Sequence, residues 1–189
     1  TYDKGALEVR QAPLTITADS DSKEYDGTAL TKNSYSSTDL KGTDEIKSVT
    51  VTGSQTVVGK SNNVPSAAEI KNAKGDTVTD NYAITYDNGV LEVTKASIAI
   101  TITAASDSKE YDGSALTNNG YTLTAGTLAT NDRIASVVVD GSQINAGTGD
   151  NIASSAVIMN GNETVTDNYV ITYDKGALEV RQAPLTITA

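Results

Sequence analysis

Cysteine, histidine, tryptophan and phenylalanine are all missing from the 189 residues, which hold one methionine and 3 prolines. Each absence removes chemistry. Without histidine or cysteine there is no Ser-His-Asp triad, no thiolate nucleophile, no imidazole acid or base, and no zinc site of the N/S ligand type. Cationic side chains are scarce too: 14 Lys and Arg face 24 Asp and Glu, a formal net charge of −10. A field of that sign repels phosphate backbones and anionic lipid. No nucleic-acid partner and no membrane insertion are therefore expected. No stretch approaches the ~18 apolar residues of a membrane span, and the opening TYDKGALEV has neither the basic nor the apolar region of a signal peptide. Such an opening fits an interior or mature segment of a longer chain. Lack of cysteine leaves the compartment open, because cytosolic proteins and many secreted bacterial proteins share it.

What is present is repetition. DSKEYDG occurs at Asp21–Gly27 and at Asp107–Gly113, TVTDNY at Thr77–Tyr82 and Thr164–Tyr169, and GSQ at Gly53 and Gly141, with offsets of 86, 87 and 88 residues. Two modules related by small insertions follow, rather than one domain. The segment TYDKGALEVRQAPLTITA forms residues 1–18 and returns unchanged as residues 172–189. The pair of modules is thus itself the period of a longer array. The expected organisation is 1–11 as closing strands of a preceding repeat, 12–95 and 96–182 as β modules, and 183–189 as the opening strand of a following repeat.

Within a module the periodicity is that of strands. Tyr82, Ile84 and Tyr86, followed by Leu91 and Val93, alternate at period two, and Asp87-Asn88-Gly89 between them reads as a hairpin turn with Gly89 at positive φ. Further strands are expected at Leu14–Ala18, Ser48–Thr52 and Ala67–Lys71, with counterparts at Ile98–Ala104, Ser136–Asp140 and Ser155–Met159. Asp39–Lys47 and Leu128–Ala135 carry the remaining helical pattern, allowing one short helix per module. Apolar residues are 38% of the chain and aromatics 5%, all tyrosine, so the core has to be Val, Ile, Leu, Ala and Tyr. The expected fold is all-β: two tandem small β domains, Ig-like sandwiches or alternatively β-grasp-like, forming a rod through short linkers at 10–13, 94–97 and 181–184.

The order K-E-Y-D-G-[TS]-A-L-T, then G-S-Q, then V-T-D-N-Y-x-I-T-Y-x-x-G-x-L-E-V, spanning both modules, resembles the YDG and MBG type tandem repeats of Gram-positive bacterial surface proteins. The resemblance implies an extracellular, all-β stalk module of a wall-attached or adhesin-like protein, and implies no catalytic residue or cofactor.

Four constellations could carry chemistry. Asp19, Asp21 and Asp26 could offer oxygen ligands to calcium, although the second copy has Ala105 in place of Asp19; solvated turn carboxylates are the plainer reading. Lys23 with Asn81, and Lys109 with Asn168, could condense to an intramolecular amide if the lysine were desolvated. Tyr25, Tyr82, Tyr86, Tyr111, Tyr169 and Tyr173 could stack on sugars, but the core needs them. Asp44 and Glu45 are neighbours, a poor frame for the two opposed carboxylates of a glycosidase. The expectation is therefore a non-enzymatic spacer whose partners are neighbouring repeats of the same protein. A glycan- or mucin-binding repeat acting by avidity, and a slice of a head-to-tail surface fibre in which residues 2–9 form the same hairpin as 173–180, are the alternatives.

Overall fold

Each expected Thr, Val and Ile run is a strand in the computed structural model, which describes residues 5–188. The first of two units runs to Glu24 and then from Ala29 to Thr94. It contains β1 (Ala12–Ala18), β2 (Asp21–Glu24), β3 (Tyr35–Ser37), β4 (Glu45–Thr52), β5 (Gly59–Lys71), β6 (Tyr82–Asp87) and β7 (Gly89–Thr94). One sheet has the order β3-β1-β6 and the other β2-β7-β5-β4. The second unit takes Tyr25–Thr28 together with everything from Lys95 onward. Its strands are β8 (Ile98–Ala104), β9 (Asp107–Glu110), β10 (Tyr121–Ala125), β11 (Asp132–Asp140), β12 (Gly147–Asn160), β13 (Glu163–Thr164), β14 (Tyr169–Asp174) and β15 (Gly176–Arg181). The sheets are β10-β8-β14 and β11-β12-β15-β9, with β13 against β12. The protein is all-β. No α-helix of the kind a β-grasp packs on its sheet occurs among the described residues. Each sheet also holds one parallel pair, β1 with β6 and β2 with β7 in the first unit, which an all-antiparallel Ig sandwich lacks.

Alternation fills the cores. In β1, Leu14, Ile16 and Ala18 point inward, and in β7 Leu91 and Val93 do so; β8 and β15 repeat this with Ile100, Ile102, Ala104, Leu178 and Val180. Leu14 and Ile16 pack with Ile70 and Tyr82, and each such side chain contributes about 1.5–3 kcal/mol by leaving water. Tyr82 and Tyr169 are buried, while Ile84 and Ile171 are half-buried.

The expected hairpin at Asp87-Asn88-Gly89 is not formed. β6 pairs with β1, whereas β7 pairs with β2 and β5, so the chain changes sheet at Asn88. Gly89 is not at positive φ. It is required for close approach: a Cβ there would fall 2.4 Å from the Asp19 carbonyl oxygen and 2.5 Å from that of Ala18, and Gly176 meets Ala105 and Ala104 in the same way. The helices expected at Asp39–Lys47 and Leu128–Ala135 are absent as well. A turn leads there into β4 and β11, because two helical turns do not repay nucleation and Ile46 and Val49, on a bulged strand, join the core. The helical turns present are 3-10 turns at Thr79–Asn81 and Thr166–Asn168, where the threonine hydroxyls accept the Ile70 and Ile158 N–H groups at 2.9 and 2.8 Å.

Over its described residues the eighteen-residue repeat takes two conformations. Leu178 and Val180 are buried in β15, but Leu7 and Val9, in the same local sequence, are fully exposed and outside any strand; Leu185 and Ile187 stand open where Leu14 and Ile16 are core. The shared hairpin is thus not observed over residues 5–9; residues 2–4 lie outside the described residues. Expected module boundaries at 12–95 also put Tyr25–Thr28 in the first copy, whereas they belong to the second unit.

Two buried asparagines hold the sheet crossings. Asn63 Nδ2 donates to the carbonyls of Asp19 and Lys32 at 2.9 and 2.7 Å, and Asn151 Nδ2 to those of Ala105 and Asn118 at 2.8 Å each; both side chains are fully buried. Asn63→Ala or Asn151→Ala orphans two acceptors and is expected to cost about 2–3 kcal/mol, given about 1–3 per buried unsatisfied group. Chemical denaturation measures this, and a loss below about 0.5 kcal/mol would deny the asparagines that role.

Candidate functional site

The densest polar cluster surrounds Asp132, at the start of β11 in the second unit. Its Oδ2 accepts the Tyr169 hydroxyl at 2.5 Å, and its Oδ1 accepts the Tyr25 hydroxyl at 2.6 Å and Asn160 Nδ2 at 2.7 Å. Tyr169 Oη in turn accepts the Ala129 N–H at 2.9 Å. The backbone of the Tyr25–Thr28 segment is held as well. The Asp26 carbonyl accepts the Thr130 N–H at 3.0 Å, and the Gly27 carbonyl accepts Asn160 Nδ2 at 3.2 Å. Gly27 has φ +81, and a Cβ on it would lie 1.9 Å from the Thr130 carbonyl oxygen. The Y-D-G-[TS] motif thus has a local cause: Asp26 Oδ1 accepts the Thr28 N–H and hydroxyl, closing a tight turn that only glycine at its third position allows.

Both halves of this arrangement recur singly. In the first unit Tyr82 donates to Asp44 at 2.8 Å and accepts the Lys41 N–H at 3.0 Å, as Tyr169 does with Asp132 and Ala129. No second tyrosine reaches Asp44 among the described residues. In the second copy of the motif, Asp112 Oδ1 accepts the Ser114 N–H and hydroxyl, and Gly113 has φ +82 with open space around it. Lys109 Nζ adds bonds to Asp112 at 2.7 Å and to the Ser114 carbonyl at 2.8 Å. Contact with Lys109, then with the Ser114 N–H, holds the Asp112 carboxyl far below the usual carboxylate range. Tyr111 is 44% exposed, whereas its counterpart Tyr25 is 3% exposed.

The residues singled out from the sequence are dispersed. Asp19 accepts the Ser34 hydroxyl at 2.5 Å, Asp21 the Ser22 N–H at 2.8 Å, and Asp26 closes its own turn. They do not form a calcium cage, and no group of three acidic side chains placed to hold a metal occurs among the described residues. Lys23 lies in β2 beside Val93, and Asn81 ends the exposed 3-10 turn. Lys109 spends its donors on Asp112 and Ser114, while buried Asn168 accepts the Ala96 N–H at 3.3 Å through Oδ1. An amide crosslink needs the amine lone pair aimed at the asparagine carbonyl carbon, and these two side chains are committed elsewhere. Asp44 serves Tyr82, while Glu45 pairs with Lys47. The tyrosines act as fasteners: Tyr86 and Tyr173 accept the Ala68 and Ala156 N–H groups, each 2.9 Å away, next to bulges where Ala67 and Ser155 take φ 49 and 51. No family model, curated protein or solved structure matches the chain.

Sequence reasoning passed over Asp132, Asn151 and Asn160. The signal for all three was the 88-residue offset, which maps Asp44, Asn63 and Asn72 onto them; polar residues kept at the same positions in both copies mark bonds that recur.

Two expectations follow from this geometry. Gly27→Ala and Gly113→Ala share the same positive-φ strain, so their difference isolates the seating of the first turn. Gly113→Ala is expected to cost about 1 kcal/mol and Gly27→Ala about 1–3 kcal/mol more by denaturant unfolding; equal costs would show that Tyr25–Thr28 is not seated. Burial, followed by the Asp132 carboxylate as acceptor, pushes Tyr25 and Tyr169 well above the ordinary tyrosine value of 10.0. Raised folded-state values give a stabilisation that is complete below pH 10.0 and drains away as pH climbs above it. Thermal midpoints are expected to fall on the alkaline side of that value, less steeply in Tyr25→Phe; an unchanged slope in that variant would contradict the assignment.

Proposed function

We propose that this chain is a spacer repeat of an extracellular bacterial surface protein, non-enzymatic, with neighbouring repeats of the same protein as its partners, that carries a functional head away from the cell wall. The observation that carries this reading is the connection Lys95–Ser97 between β7 and β8. It is not a free tether, since Ala96 is 7% exposed and its N–H is bonded to the buried Asn168. In a one-dimensional array of such repeats, reach grows with copy number. The resemblance of the motif order to YDG and MBG type repeats supports the same reading and the surface location.

A sugar-binding repeat acting by avidity would need its aromatic platform in every copy. Tyr111 is open but Tyr25 is not. The matching surface depressions of the two units, one at Ser20, Ser22, Lys60 and Glu92 and the other at Ser106, Ser108, Ala177 and Glu179, have no aromatic lining.

Backbone 15N relaxation tests the spacer reading. Order parameters at Lys95–Ser97 are expected to match the strands, about 0.85, and to fall in Asn168→Ala; values below about 0.6 in the unaltered chain would overturn a stiff connection.

A further inference from the structure

The Y-D-G-[TS] turn and the carboxylate that receives it occur together once and apart once. Together, Tyr25–Thr28 is seated on the Ala129–Asp132 turn and Asn160 of the second unit. Apart, Tyr111–Ser114 has the same internal bonds, the same glycine φ and an open tyrosine. The Lys41–Asp44 turn of the first unit has the same Tyr82 fastening as its occupied counterpart, with Gly42 standing where Thr130 does and Asn72 where Asn160 does.

We infer that Tyr111–Ser114 is a plug that seats on the Lys41–Asp44 turn of a second copy of this chain, Tyr111 donating its hydroxyl to Asp44 there. Three features fit that occupant. The bonding is dictated by a partner already seen: tyrosine hydroxyl to the free carboxylate oxygen, plug carbonyl to the N–H of the turn residue at Gly42, and glycine carbonyl to the amide of Asn72. The plug is pre-shaped, with Lys109 bracing Asp112 and Ser114, so little ordering entropy opposes seating. Gly113 leaves the room that Gly27 needs against Thr130. Asn72 now donates to Asp76 at 3.1 Å, a bond it exchanges on seating.

This inference rests on the spacer reading only for its choice of partner. A four-residue plug buries far less than a standard interface, so association between separate chains is weak, with a Kd on the order of 1 mM. The test is NMR on the full 15N-labelled chain over about 0.05 to 1 mM. Amides of Tyr111–Ser114 and of Lys41–Asp44 are expected to shift together with one apparent Kd. Tyr111→Phe, which removes only the hydroxyl, and Gly113→Ala, which adds the methyl that seating cannot admit, are each expected to weaken the effect at both places at least tenfold. Labelled Gly113→Ala chain titrated with unlabelled unaltered chain should regain the shifts at Lys41–Asp44 while its own Tyr111–Ser114 stays silent. Concentration-independent spectra, shifts confined to other residues, or shifts at Lys41–Asp44 that persist when every chain carries Gly113→Ala would overturn the plug. A mobile Lys95–Ser97 connection with intact seating would instead overturn the spacer reading alone.

Discussion

Two stretches of each unit run side by side and change sheet together, and everything else is arranged around that paired crossing. In the first unit β1 and β6 are parallel neighbours in one sheet, and their continuations β2 and β7 are parallel neighbours in the other. The crossing at Ala18 and Asp19 lies against Gly89 so closely that a single extra carbon would not fit. Backbone carbonyls turned inward at such a place would be costly without partners. Asn63 supplies them from the middle of β5, and Asn151 does the same from β12. With the crossing fixed, Leu14 and Ile16 from one sheet and Leu91 and Val93 from the other are buried.

The tyrosines extend this economy of means. With no other aromatic in the chain, each large ring has to pack and also satisfy its hydroxyl. Tyr82, Tyr86, Tyr169 and Tyr173 accept backbone N–H groups that the turns and bulges leave unpaired. Tyr82 and Tyr169 pass their own proton to an aspartate. A carboxylate with two oxygens can take a second tyrosine, as Asp132 takes Tyr25, and this is how a structural fastener also becomes a place for a repeat motif to seat.

The eighteen identical residues at the two ends show what a strand depends on. GALEVR is a strand between β12 and β9 when those edges are present, and an exposed segment outside any strand at residues 5–10, where they are not. LTITA is the buried centre of a sheet as residues 14–18, but residues 185–188 of its second copy stand in solvent. Identical propensity gives different outcomes because a strand's hydrogen bonds belong to its neighbours.

Composition and repetition settled a good deal: the all-β character, two units of one design, the Thr-, Val- and Ile-rich strands, and the inward Leu91, Val93, Leu178 and Val180 were legible because period-two alternation is a local property of the chain, whereas β2, β3, β9, β10 and β13 were not expected. Asp26 reads as a turn carboxylate, and it closes one. Which strands pair, however, is a choice among distant edges. Local pattern made Asp87-Asn88-Gly89 a hairpin, whereas pairing of β6 with β1 and of β7 with β5 made it a sheet crossing and gave Gly89 a steric role instead of a dihedral one. Asp44 beside Glu45 is a poor frame for catalysis in the sequence, and its actual role comes from Tyr82, 38 residues away. Asp132 with Tyr25 is separated by 107 residues, and no window along the chain spans that distance. Contacts of such separation are set by loop closure and packing, so only the tertiary structure could decide them.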